Sequence, residues 1–285
     1  RTLGTPTSGT TWTWSGWSKR GSFGAFQGLQ HGYSATNNQG GISFTANNEL
    51  LLSDYPTSLN CNVVTTQVFR DPSAWYHIVV AVDTTQSTAS NRVKMYVNGS
   101  QITSFGTATY PTQNTTLRMV ASGNTASVGR YYDGTSYYFD GYLTEINFID
   151  GQALDSTSFG EYNDDTGVWQ PKAYAGTYGT NGFYLNFSDN STTTTLGYDY
   201  SGNGNNWTPN NISVTSGVTY DSMLDVPTQW ADGGNGRGNY CTLNPIDVTG
   251  STLTNGNLYT SIPFATNSIC KGTLGLSSGK WYWEV

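Results

Sequence analysis

Apolar and polar positions alternate with a period of two along much of this chain. In "TWTWSGWSKR" (11–20), Trp12 and Trp14 share one face and Thr11 and Thr13 the other, the pattern of a half-buried strand. Ser15-Gly16 interrupts that run, and Trp17 falls out of phase, between burial and exposure. "WYHIVVAVD" (75–83) is apolar on both faces and predicts a central strand of a packed sheet. "RVKMYVNGSQITSF" (92–105) predicts a hairpin about Asn98-Gly99, because a type I′ turn needs φ > 0 at both central residues. That register sets Met95 opposite Ile102 and Val93 opposite Ser104. It puts Val93, Met95 and Val97 on the core face and Arg92, Lys94 and Tyr96 outward. "YLTEINFID" (142–150) alternates Leu143, Glu145, Asn147 and Ile149 against Tyr142, Thr144, Ile146 and Phe148. Asp-Gly steps at Asp133, Asp140 and Asp150 punctuate these aromatic strands, and a first unit closes near Phe159-Gly160.

Beyond residue 160 the pattern weakens. Residues 161–235 read as a turn-rich connector with one clear strand at 182–187. A fresh strand signal comes at "GTLGLSSGKWYWEV", with Trp281 and Trp283 on one face and Tyr282 and Glu284 on the other. Residues 236–285 are therefore expected to begin a second β-sandwich. Its partner strands are missing and the first residue is Arg1, so the polypeptide is expected to continue beyond both ends.

Composition sharpens the fold class. No window sustains a 3.6-residue period, and only Glu49, Glu145, Glu161 and Glu284 are glutamates, so an all-β chain is expected. A length of 285 residues is enough for two modest cores. Charged residues are 11% of the chain, against roughly 25% in ordinary soluble proteins. With a net charge of −7 and no basic cluster, no nucleic-acid partner is expected. No apolar run is long enough to predict membrane insertion by a helix. Cys61, Cys241 and Cys270 are odd in number and far apart, and read as free, mostly buried thiols.

"TWTWSGWSKRG", "WYHIVVAVD", "RVKMYVNG" and "FDGYLTEINFIDGQAL", in that order over residues 1–160, resemble the LamG-like, concanavalin A-like antiparallel jelly rolls of bacteriophage tail and fibre proteins. "GVWQPKAYAGTYGTNGFYLNFSDNS" resembles the connector that follows such domains in marine phages, and "SGKWYWEV" resembles the opening of a SPRY-type β-sandwich. The resemblance implies a non-enzymatic virion appendage displaying a carbohydrate-binding-type sandwich toward a host cell-surface glycan. Other virion proteins would be its partners, and a homo-oligomer, a trimer as in many fibres, would be its assembly, although no heptads support one. A spacer domain on the virion that recognises nothing, and a secreted glycan-active enzyme or adhesin, are the competing readings.

Three groups of residues carry candidate chemistry. In "RYYDGTSYYFDG", Tyr131, Tyr132, Tyr137 and Tyr138 offer rings with an apolar face and a polar tip, suited to a sugar. In "DYSGNG", Asp199, Ser201 and Asn203 fall at positions 1, 3 and 5 of a calcium-type loop, with Asn205 adding a backbone carbonyl. Position 12 is Asn210 rather than a bidentate Glu, so any calcium site is expected to be weak. Glu145, Asn147 and Asp150 match the spacing of a glucanase acid pair with its helper. Yet a regular strand separates i from i+5 by about 16 Å and on opposite faces, so a bulge would be needed. Asn147 is no acid, and Asp150-Gly151 reads as a turn, so no catalytic residue is assigned. His77, inside a buried strand, reads as a satisfied core histidine.

Overall fold

The computed structural model describes residues 1–131, 136–217, 219–227, 238–261 and 268–280. The first strands are β1 (Thr11–Arg20), β2 (Gln27–Ala35), β3 (Asn38–Phe44), β4 (Glu49–Pro56), β5 (Cys61–Val68) and β6 (Trp75–Asp83). Then come β7 (Val93–Val97), β8 (Ser100–Ile102), β9 (Phe105–Thr109), β10 (Thr125–Val128) and β11 (Gly141–Asp150). Short strands follow: β12 (Gly160–Tyr162), β13 (Trp169–Pro171) and β14 (Phe183–Leu185). Near the end lie β15 (Leu243–Thr249), β16 (Thr252–Thr254), β17 (Tyr259–Ser261) and β18 (Ile269–Gly272).

Two six-stranded antiparallel sheets face each other, in the orders β14-β11-β1-β6-β7-β8 and β10-β2-β3-β4-β5-β9. This is the all-β jelly-roll sandwich expected from the sequence. Trp12 and Trp14 point between the sheets, fully buried with Val80, Val82, Ile42, Phe44 and Leu52. Burial of each such ring contributes roughly 1.5–3 kcal/mol or more. β6 lies between β1 and β7, as its two apolar faces require. The Asn98-Gly99 turn has φ of 47° and 86°, and Met95 faces Ile102. Val93 does not face Ser104, because β8 ends at Ile102. The Ser104 carbonyl instead accepts from Thr66 N as the chain crosses to the second sheet.

Several expectations change. Ser15-Gly16 does not interrupt β1, which runs unbroken to Arg20. Trp17 therefore lies on the face opposite Trp12 and Trp14, and it is 3% exposed. It is buried because the outer face of the first sheet is itself covered. Trp17, Trp75 and Trp169 pack together there, and Val79, Tyr96, Ile149 and Phe159 form a second outer cluster. The same cover buries Tyr96, which the hairpin pattern had placed in solvent.

Much of that cover comes from beyond residue 160. β14 is an edge strand of the first sheet, pairing with β11, and Trp207 joins the main core. Residues expected to be a connector are thus built into the sandwich, and the boundary drawn at 160 cuts through it. Among the described residues from 238 onward only two-stranded pairings appear, β15 with β18 and β16 with β17. Trp281 and Trp283 lie outside the described residues. Cys61 is buried and Cys241 is exposed, so the thiols are not uniformly buried. No described helix is long and apolar enough to cross a membrane.

Candidate functional site

The tyrosine loop sits at the edge of the second sheet, where β10 pairs with β2. Tyr132 lies outside the described residues. Tyr131 packs on the buried His31 ring at 4.3 Å and meets Phe26 edge-on at 5.0 Å. Its hydroxyl accepts from Gln39 Nε2 at 3.4 Å. Tyr131 is therefore a buttress. The Tyr137 ring stands edge-on to Phe26 at 5.6 Å and to Tyr131 at 5.7 Å, and the residue is 51% exposed.

Strand alternation would send only one of Tyr137 and Tyr138 outward, but both are about half exposed. The cause is the backbone: Tyr137 has φ of 59°, the left-handed region a bulky residue rarely occupies. The Tyr137 carbonyl accepts from Gly28 N at 3.1 Å and Tyr131 N at 3.2 Å, which pins this conformation. The result is a fixed aromatic step of Phe26, Tyr131 and Tyr137, with Tyr138 beside it.

The calcium-type loop is brought together, but around hydrogen-bond donors. Asp199 Oδ1 accepts from Tyr184 N and Ser201 N, and Oδ2 from Ser201 Oγ and Asn205 N. Asn203 Nδ2 donates to the Gly179 and Gly182 carbonyls, Asn205 Nδ2 donates to those of Thr180 and Gly182, and the Arg1 guanidinium donates to Asn205 Oδ1. A cation would have to displace N–H groups from both carboxylate oxygens, with a guanidinium close by. Among the described residues, no group of three or more His, Cys, Asp or Glu is placed to hold a metal ion. We expect Asp199→Ala to cost about 2 kcal/mol by leaving these donors unpaired. Urea titrations with and without millimolar calcium should give the same loss. A wild-type midpoint that rises with calcium, and a variant midpoint that does not, would restore the metal reading.

A bulge does occur at Glu145, where φ is 52° and the pairing of β1 with β11 shifts register. Each acid near it is held by its own hydrogen-bond partners. Glu145 Oε2 accepts from the Tyr184 hydroxyl at 2.5 Å. Burial raises the Glu145 carboxyl above its ordinary range, partly offset by that bond. Asn147 Oδ1 accepts from the Tyr178 hydroxyl. Asp150, 2% exposed, accepts from Thr7 N, Ser8 N and Asn181 N. It anchors the chain segments around it rather than merely opening a turn.

His77 is indeed a satisfied core histidine. Its Nε2 bonds Ser15 Oγ, its Nδ1 accepts from Trp169 Nε1, and its ring stacks on Trp17 at 4.8 Å. Beside it lies a feature the sequence did not reveal, an open cleft of about 230 Å³ lined by Trp17, Trp75, Asn98, Val168, Trp169 and Asn239. These residues come from five separate stretches of chain. In the sequence the cleft left two signals, the out-of-phase Trp17 and the Val168-Trp169 pair in the turn-rich connector.

Residues 2–158, more than half of the chain, match the laminin G-type family described as the concanavalin A-like lectin/glucanases superfamily. No curated protein matches the sequence significantly. Among solved structures, the native heptameric SAP-like pentraxin from Limulus polyphemus is 15% identical, with 53% of this chain and 68% of that chain covered and a TM-score of 0.39. Domain 4 of a GH43 extracellular arabinanase from Geobacillus stearothermophilus, in complex with arabinotriose, is 16% identical over 51% of this chain and 63% of that one, TM-score 0.38. The CBM40 of a Ruminococcus gnavus IT-sialidase, bound to α2,3-sialyllactose, is 15% identical over 46% and 70%, TM-score 0.35. The family match covers the residues that build most of the two facing sheets, and the chain belongs to the concanavalin A-like lectin/glucanases superfamily.

Proposed function

We propose that this chain is a non-catalytic glycan-binding module of a phage tail or fibre protein, facing the host surface. The observation that carries the binding reading is the fixed step of Phe26, Tyr131 and Tyr137. A half-exposed tyrosine is held in a left-handed conformation by two backbone hydrogen bonds. Strained, pre-set aromatics recur at binding sites, because a rigid ring loses little entropy when a ligand stacks on it. The apolar face of a sugar ring suits such a platform. Family membership supports the carbohydrate class, and the likeness of "FDGYLTEINFIDGQAL" and its companion segments to phage appendage domains supports the virion setting.

The non-catalytic reading rests on the carboxylates. Glu145 is tied to Tyr184, and Asp150 is occupied by three backbone N–H groups. The purified protein is expected to bind on an array of bacterial surface glycans and to release no reducing ends from them. Tyr137→Ala combined with Phe26→Ala should weaken binding about tenfold or more, the scale of one or two stacking contacts at about 1–1.5 kcal/mol each. Thermal unfolding should shift little, since Tyr137 is half exposed. Retained affinity in a folded double variant would move the site elsewhere. Labelled antibodies that fail to decorate phage particles would sink the virion setting alone.

A further inference from the structure

Lys19 is a primary amine with almost no solvent contact. It is 1% exposed on the covered outer face of the first sheet, with Nζ 5.6 Å from the centre of the Tyr142 ring. Three acceptors surround Nζ: Asp225 Oδ2 at 2.7 Å, the Tyr240 carbonyl at 2.8 Å and Asn239 Oδ1 at 2.9 Å. Asp225 is also buried, and its other oxygen accepts from Trp75 Nε1 at 2.8 Å. Asn239 is held at both ends of its carboxamide, since Nδ2 donates to the Ser73 carbonyl at 2.6 Å. An amine, a carboxamide and a carboxylate are thus fixed together by residues 19, 225 and 239.

We infer that Lys19 and Asn239 are the two halves of an intramolecular amide cross-link, with Asp225 carrying the protons. The electrophilic Cγ of Asn239 is one carbonyl bond, about 1.23 Å, from the oxygen that Nζ already contacts. Holding two reactants in one site in this way replaces a slow encounter by a unimolecular step. The Lys19 ammonium passes a proton to Asp225 Oδ2. The freed lone pair attacks Cγ, and the electrons of the C=O bond move to Oδ1. Asp225 then gives a proton to the amide nitrogen and takes one from the nitrogen that attacked. As the C=O bond reforms, the Cγ–Nδ2 bond breaks and ammonia leaves. The products are a secondary amide, one ammonia and a protonated Asp225, and no oxidant or reductant is required. Burial favours this course because it exchanges a buried ion pair for neutral groups. Asn239 itself is exposed, so the ammonia departs directly to solvent.

Such a bond would join the strand at the centre of the first sheet to the stretch just before β15. Pulling on the segment beyond residue 239 would then load β1 directly, which suits a module under mechanical tension.

Intact-mass measurement of the purified full chain tests this. The wild type should be lighter than its sequence mass by one ammonia. Its tryptic map should show no cleavage after Lys19, and should show that peptide joined to the one beginning at Gly238. Asn239→Ala, at an exposed position, and Lys19→Met should both show their full masses. A folded wild type at full mass overturns the inference and leaves a plain buried ion pair. A loss of ammonia that persists in Lys19→Met marks a succinimide at one of the Asn-Gly steps and also overturns it. Loss of one water instead would make Asp225 the acyl partner and remove Asn239 from the assignment.

Discussion

Lowering the pH from about 7.5 to about 5 is expected to remove up to about 4 kcal/mol of folding stability through two histidines. His31 and His77 are both fully buried, and desolvation holds each imidazole down to a pKa of about 3. In the unfolded chain the same rings titrate near 6.5. Above that value both states are neutral and the stability is fully present. Between about 6.5 and 3 the unfolded chain binds two protons that the folded protein refuses, so stability falls as pH falls. At about pH 5 each histidine contributes a loss of about 2 kcal/mol. Asp54 and Glu145 act in the opposite direction, because burial raises both carboxyls and the folded state protonates first. They offset part of the loss at the acid end of the range. Urea denaturation across this window checks the effect, and His77→Gln should roughly halve the slope. A stability flat from neutral pH to about 5 would show that the rings are hydrated.

Asp150→Ala should cost about 3–5 kcal/mol, more than an ordinary surface change. The carboxylate receives Thr7 N at 2.7 Å, Asn181 N at 2.9 Å and Ser8 N at 3.2 Å. Removing it orphans three backbone donors gathered on a carboxylate that is itself only 2% exposed. It also releases both the segment leading into β1 and the turn leading into β14. Asp150→Asn should recover part of this, because its carboxamide oxygen can take the place of Oδ2 and accept from Thr7 N and Asn181 N, leaving its NH2 against Ser8 N alone. Glu145→Gln, which keeps an acceptor for Tyr184, should stay within about 1 kcal/mol. The contrast separates an anchoring carboxylate from one half of an acid pair. Equal and small effects at both positions would contradict the assigned role of Asp150.

Local rules made several elements legible. Asn98-Gly99 must take positive φ twice, and the two-sided apolar run at 75–83 belongs inside a sheet; both hold. The aromatic positions of "TWTW" gave the inner face correctly. What failed depended on residues far away in the chain. Nothing in "WSKR" says that Lys19 will be buried, because its partner lies at Asp225. Trp17 looked stranded only because Trp169 was assigned to a connector. The alternation at 142–150 is also not a single one. The Glu145 bulge flips its phase, so Leu143 packs toward the same core as Ile146 and Phe148. The aromatic content of the tyrosine loop was visible in the sequence. Its orientation was not, because it rests on one left-handed residue that composition cannot reveal.

The position of β1 has a cost during synthesis. It is made before every other strand of the two sheets, yet its neighbours are β6 and β11, and the last of these ends at Asp150. At about 5–20 residues per second, a ribosome needs on the order of ten seconds to travel from Arg20 to Asp150. Until β6 is made, Trp12, Trp14 and Trp17 have no sheet to enter, and until β11 is made that sheet stays open on one side of β1. Pairings of such long range are slow to form even once the chain is complete. The opening strand is therefore the segment most exposed to misassociation while the protein is being made. A chaperone that holds the nascent chain would act first on those three indoles.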